Sequence, residues 1–134
     1  MSEEHEKEDR SNWSVQQWTD YAKAGNKDLE GANLEGANLE GVNLRDVRLQ
    51  GAMLVGANLY RANLERAVLW EVRAIGVNLY GAKLKHARLE RANLNGVNLC
   101  SSDLDGAKLF RTNLIGANLS GHDIDEVRKR VAGF

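Results

Sequence analysis

The sequence predicts a solenoid whose coil is made of four five-residue units, and three observations predict it. Leucine recurs at every fifth residue: unit centres fall at 29, 34, 39 and onward to 124, giving 20 units in one unbroken phase, 18 of them centred on Leu. The exceptions are Ala74 and Ile124. The second observation is that a period of five fits neither an amphipathic helix, near 3.6, nor an alternating strand. A fixed internal period belongs to repeats that bury their apolar side only by stacking on one another. The third observation is a longer period of 20: Asn38, Asn58, Asn78, Asn98 and Asn118 form one row, and Gly36, Gly56, Gly76, Gly96 and Gly116 form another. Rows at that interval are expected if four units close one turn.

Around each centre the preferences are uniform. Ala or Val stands two residues before it (Ala32, Ala37, Val42, Ala57), Asn or Asp one before it (Asn33, Asn43, Asp103), and Gly two after it (Gly31, Gly41, Gly51). Ala32–Gly36 and Ala37–Gly41 show the A-N-L-x-G unit undiluted. In this the chain resembles the pentapeptide-repeat protein family over roughly residues 27–126. The resemblance implies an all-β solenoid, a right-handed quadrilateral parallel β-helix of about five coils, with the centre and the small residue two before it pointing inward. Stacked Asn side chains are expected to hydrogen-bond along their ladder. The Gly row suits a corner needing positive φ or close backbone approach. At ~4.8 Å between neighbouring strands, the rod is about 24 Å long.

The elements follow in order. Residues 1–11 are charged and read as disordered. Residues 12–26 contain a capping helix: Ser14 and Gln17 form a capping box, and Trp13 and Trp18 the matching hydrophobic staple. Val15, Trp18, Tyr21 and Ala22 share one helical face, and Gly25 supplies the stop. An open coil end needs such cover. Residues 27–126 are the repeat region. The tail, 125–134, begins with a short helix, with Asp123 or Asp125 at its start and Arg128, Lys129 and Arg130 suiting its negative pole. Val127, Val131 and Phe134 are the candidates by which this segment either caps the coil or pairs two copies.

Composition narrows the function classes. The net charge of −1 argues against nucleic acid. Charge is nevertheless uneven: residues 1–40 hold ten acidic and four basic side chains, whereas 41–100 hold four acidic and nine basic. A single cysteine, Cys100, fits a reducing compartment. The charged start is no signal peptide, and no apolar run approaches a membrane span, so a cytoplasmic location is expected.

Chemistry-bearing residues are scattered. His5, His86 and His122 have no ligand-spaced neighbours. Asp103, Asp105, Asp123, Asp125 and Glu126 read as a solvated polar face rather than a metal site. No catalytic residue, metal or other cofactor is expected. One departure from the repeat stands out: Met53, Val55, Val68, Trp70 and Ile75 occupy positions that should be polar and outward. In a four-sided coil they fall on two adjacent faces, with Tyr60 and Tyr80 stacked on the next face and Arg48, Arg73 and Arg88 around them. An apolar, aromatic centre with an arginine rim has the composition of a protein–protein interface. Ala74 leaves a gap at a centre, which Ile75 is expected to fill by turning inward through a bulge. The expected function is therefore a non-enzymatic interaction scaffold for another protein, a second copy included. The alternative that the family resemblance implies is a DNA mimic that binds gyrase or topoisomerase and protects it from quinolones or toxins. Against it stand the absence of Phe at any centre and the basic middle of the chain.

Overall fold

A computed structural model describes residues 8–134 and places the repeat as a four-faced stack. The expected disorder of the extreme N-terminus falls largely outside those residues. Parallel bridges join residues 20 apart from Asp28↔Arg48 to Asn98↔Asn118. They connect four columns, one per face: Asp28 to Lys108, Asn33 to Asn113, Asn38 to Asn118, and Asn43 to Asp103. Each bridge is a single residue rather than an extended strand, because a turn follows two residues later in every unit.

The unit Ala57–Arg61 shows why five residues suffice. Ala57 N–H donates to Leu54 O (2.9 Å), closing the preceding turn. Asn58 N–H donates to Ala37 O in the coil below (2.9 Å), while Leu59 and Arg61 N–H donate to Asn78 O and Tyr80 O in the coil above (both 2.8 Å). The remaining N–H, of Tyr60, donates to Asn58 Oδ1 at 3.0 Å. Every donor of the unit has a partner, as burial of a solenoid wall requires.

That last bond corrects the expected role of asparagine. Asn Oδ1 caps the N–H two residues on in unit after unit, at Asn33, Asn63, Asn78, Asn98 and Asn118 among others. Such Asx turns explain the preference for Asn or Asp at this position. Among the described residues the inter-coil amide bond expected of a ladder forms at one pair, Asn58 Nδ2 to Asn38 Oδ1, at 3.4 Å.

The corners carry positive φ throughout. Gly36, Gly56, Gly76, Gly96 and Gly116 have φ between +64° and +70°. A Cβ on Gly56 or Gly76 would meet nothing within 4 Å, so conformation rather than space selects glycine there. Eight non-glycine residues, including Arg61, Glu71 and Arg111, hold the same conformation at equivalent positions, with φ from +55° to +60°.

Inside, the centres and small residues form one continuous core from Trp18 to Val127. Leu29, Leu34, Leu39, Leu59 and Leu99 are fully enclosed, each worth roughly 1.5–3 kcal/mol relative to exposure. Ala74 lies in this core, and the expected bulge is absent. Its N–H donates to Asn93 O (2.9 Å) and its carbonyl accepts from Val77 (3.1 Å), the regular pattern, while Ile75 stays outside, 44% exposed. Inter-coil hydrogen bonds on both sides hold the register, so the gap persists as an apolar cavity of about 10 Å³ lined by Leu54, Val72, Leu79, Leu94 and neighbours.

Two helices close the ends. Helix α1, Val15–Lys23, starts at the Ser14–Gln17 capping box, with both reciprocal bonds formed. The indoles of Trp13 and Trp18 meet edge to face at 4.9 Å, and Trp18 and Ala22 enter the core. Helix α2, Ile124–Ala132, is N-capped by Asp123 and ends at Gly133 in the left-handed conformation. It docks on the last coil through buried Val127, through Arg111 N–H donating to Val131 O (2.9 Å), and through Arg130, whose guanidinium donates to Leu104 O and Ala107 O. Three polar residues occupy small inward positions near this end. Thr112 donates to Leu89 O (2.8 Å), Ser102 to Leu99 O (2.8 Å), and His122 Nε2 lies 3.1 Å from Ser102 Oγ. Among the described residues no helix is long and apolar enough to cross a membrane.

Candidate interaction surface

The stack turns sequence intervals into neighbours, and the apolar outward residues meet accordingly. On the first face Val68 bridges Arg48 on one side and Arg88 on the other. On the second face Met53 bridges Arg73, with Val55 and Ile75 in the column beside them, 38% and 44% exposed. Trp70, Val68 and Met53 are half-buried, and the three arginines are exposed. The third face carries Tyr60 and Tyr80, stacked at 5.3 Å and 7° from parallel. Ring stacking of this kind contributes about 0.5–1.5 kcal/mol beyond area burial.

The arginine rim is partly occupied by intramolecular pairs. Arg48 lies 3.5 Å from Asp28, and Arg88 lies 3.4 Å from Glu90. Both arginine side chains are about half exposed, so these pairs contribute little and leave the guanidinium groups available. Arg45 and Glu65, 20 residues apart, form a similar inter-coil pair at 3.5 Å.

The structure adds residues that the sequence reading passed over. Arg61 sits over the Tyr60 ring at 5.3 Å. Phe110 (41% exposed) shares the column of Trp70, and Ile115 (73% exposed) that of Val55 and Ile75. The 20-residue interval is the signal that places both. Ile115 also borders a second apolar feature, an open groove of about 660 Å³ lined by Leu114, Leu119, Ile124, Val127 and Val131. Here α2 leaves the last centres half-covered. Of the three tail candidates, Val127 is buried in the cap, Val131 is half-buried beside it, and Phe134 is 92% exposed.

Nothing else in the described residues gathers into a reactive centre. No three His, Cys, Asp or Glu side chains converge as metal ligands there. Cys100 is half-buried, its Sγ 3.7 Å from Ser101 Oγ.

Comparison with known proteins agrees with this geometry. The family model described as a pentapeptide repeat region matches residues 22–99 and 42–119. Among solved structures, the chain is similar to Rfr23, a pentapeptide repeat protein from the cyanobacterium Cyanothece 51142, at 40% identity and TM-score 0.59, over 68% of this chain and 58% of that one. It is similar to HetL from the cyanobacterium Nostoc sp. strain PCC 7120, a pentapeptide repeat protein involved in heterocyst differentiation regulation, at 31% identity and TM-score 0.70, over 75% of this chain and 44% of that one. It is also similar to alr5209, a pentapeptide repeat protein from Nostoc PCC 7120, at 30% identity and TM-score 0.54, over 85% of this chain and 92% of that one. The chain thus spans about half the length of the first two. No curated protein sequence is significantly similar to it. With its five-residue units, 20-residue parallel bridging and right-handed β-helical relatives, the chain belongs to the pentapeptide-repeat protein family.

Proposed function

We propose that the protein is a non-catalytic scaffold, a rod of five coils whose middle coils bind another protein through the Met53, Val55, Val68, Trp70 and Ile75 surface. The observation that carries this reading is the placement of five apolar side chains at outward positions on two adjoining faces, with exposed Arg48, Arg73 and Arg88 around them. A repeat under no other demand places polar groups there, and apolar centres with arginine rims characterise binding surfaces. HetL's involvement in regulation fits a family that works by contact, and a cytoplasmic setting accords with the single thiol.

A second reading concerns self-association, and the half-covered groove beside Leu114 and Ile115 favours it. Sedimentation separates the two surfaces. Replacing Trp70 and Tyr80 with Ser abolishes partner capture if the middle coils bind, whereas Ile115→Ser shifts a dimer to monomer if the C-terminal groove pairs. Unchanged capture in the Trp70/Tyr80 variant would refute the leading reading.

A further inference from the structure

Charge on the coils is sorted by face in a way that stacking does not explain. On the two faces that carry Met53, Val68 and Trp70, residues 47–121 hold six cations against two carboxylates, Glu71 and Glu90. The other two faces of the same stretch hold four cations and three carboxylates. Four of the six, Arg88, Arg91, Lys108 and Arg111, gather on the two coils that follow Trp70, and all four are exposed.

Each of these choices works against the stack. Arg88 bridges Lys108 directly, so like charges face each other on neighbouring coils, which is destabilising. Arg91 and Arg111 hold φ of +59° and +58° at a corner that Gly31 and Gly51 fill on the first two coils. The left-handed conformation is strained for any residue with a Cβ. Arg45 and Glu65 show that the repeat accommodates opposite charges in a column. Arg88 is paired with Glu90, 3.4 Å away, but among the described residues no carboxylate lies within ion-pair distance of Arg91, Lys108 or Arg111. The Arg111 guanidinium lies over the Phe110 ring at 5.2 Å, continuing the aromatic column that begins at Trp70. Side chains that break local rules without an internal compensation belong to a site.

We propose that the part of the partner bound by this surface is an acidic, extended segment. Its apolar anchor rests on Trp70 and its carboxylates meet the four cations beyond. The inference rests on the reading of the Trp70 surface as a protein-binding face, and charge complementarity selects the partner. Two coil spacings, ~10 Å, separate Trp70 from Arg111, a distance that an extended chain covers in about three residues.

Binding is followed by fluorescence anisotropy of a labelled peptide in which one tryptophan stands three residues before a run of four glutamates. At low salt it saturates with a Kd on the order of 0.1 mM. The same peptide with glutamine for glutamate binds about tenfold more weakly, and salt at about 0.5 M removes the difference. The deciding variant combines Arg91→Gly with Arg111→Gly. It weakens the glutamate peptide about fivefold, leaves the glutamine peptide unchanged, and raises Tm by about 2 °C or more as strain and repulsion are relieved. Lower Tm in this variant would make the arginines structural and overturn the proposal. Absence of saturation, equal binding of the two peptides, or unchanged affinity of the variant would overturn it as well. So would tighter binding of a thymidine oligonucleotide than of the glutamate peptide, which would assign the cations to nucleic acid. Trp70→Ser weakens both peptides. If it weakens neither while the arginine variant still acts, the apolar reading fails and the acidic preference stands.

Discussion

Filling the gap at Ala74 tests whether the core is a stack of equivalent layers. Ala74 is 1% exposed and stands between Leu54 and Leu94 in a column otherwise made of leucine. Ala74→Leu adds three carbons to a site with regular backbone hydrogen bonds and an adjoining cavity of about 10 Å³. At ~0.8 kcal/mol per buried carbon the gain is ~2.4 kcal/mol. Ordering the leucine side chain removes about 0.5–1 kcal/mol of that. The substitution therefore stabilises by about 1.5 kcal/mol, on the order of 5 °C in Tm for a chain of this size. The cavity alone does not hold three carbons, so Leu54 and Leu94 must shift by a fraction of an ångström. Urea unfolding followed by circular dichroism measures the change, with an unaltered m-value as the check on two-state behaviour. Leu94→Ala, which makes the same gap one coil on, costs about 2–5 kcal/mol. Destabilisation by Ala74→Leu of more than about 1 kcal/mol would refute the reasoning, since it would mean the walls had closed and the larger side chain overpacked them.

Four further outcomes are expected, the first three from the backbone scheme and the last from surface charge. Glu71→Gly relieves a left-handed residue and raises stability by about 0.5–1 kcal/mol, whereas Gly76→Ala lowers it by about 1 kcal/mol although no atom lies within 4 Å; thermal unfolding reads both. Asn78→Ala strips the acceptor from the Tyr80 N–H and costs about 1 kcal/mol, recovered in part by Asp at the same site. In a gyrase supercoiling assay the protein neither inhibits nor protects, because the acidic surface of a DNA mimic is missing from its middle coils, where nine basic side chains outnumber four acidic ones.

The parts of the fold readable in advance are those set by interval. Leu at every fifth position and Asn at every twentieth leave one closed solution, and the bridges between residues 20 apart follow from it. The Ser14–Gln17 box and the Trp13–Trp18 staple were equally legible, because capping chemistry is local. What escaped the sequence depended on competition between partners. Asn38 had two candidate donors, the amide of Asn58 and the backbone N–H of Glu40, and the sequence does not rank them. The bulge at Ile75 failed because hydrogen bonds from two neighbouring coils outweigh one unfilled centre. The candidate surface shows the same division. Its columns are arithmetic and could be placed, but the stacking of Tyr60 on Tyr80 and the cover of Arg61 depend on rotamers. The groove at the last coil depends on where α2 lies, which no periodicity encodes.

The most direct test of the 20-residue coil uses the native thiol. Tyr80→Cys places a second cysteine next to Cys100 on the adjoining coil, where Gly81 N–H already donates to Cys100 O at 3.0 Å. Neighbouring strands lie ~4.8 Å apart, within the span of a disulfide. Mild oxidation should join this pair rapidly within one chain, while Ile75→Cys and Lys85→Cys, displaced by one unit onto other faces, stay reduced. Equal cross-linking from positions 75, 80 and 85, or none from 80, would contradict the four-sided stack.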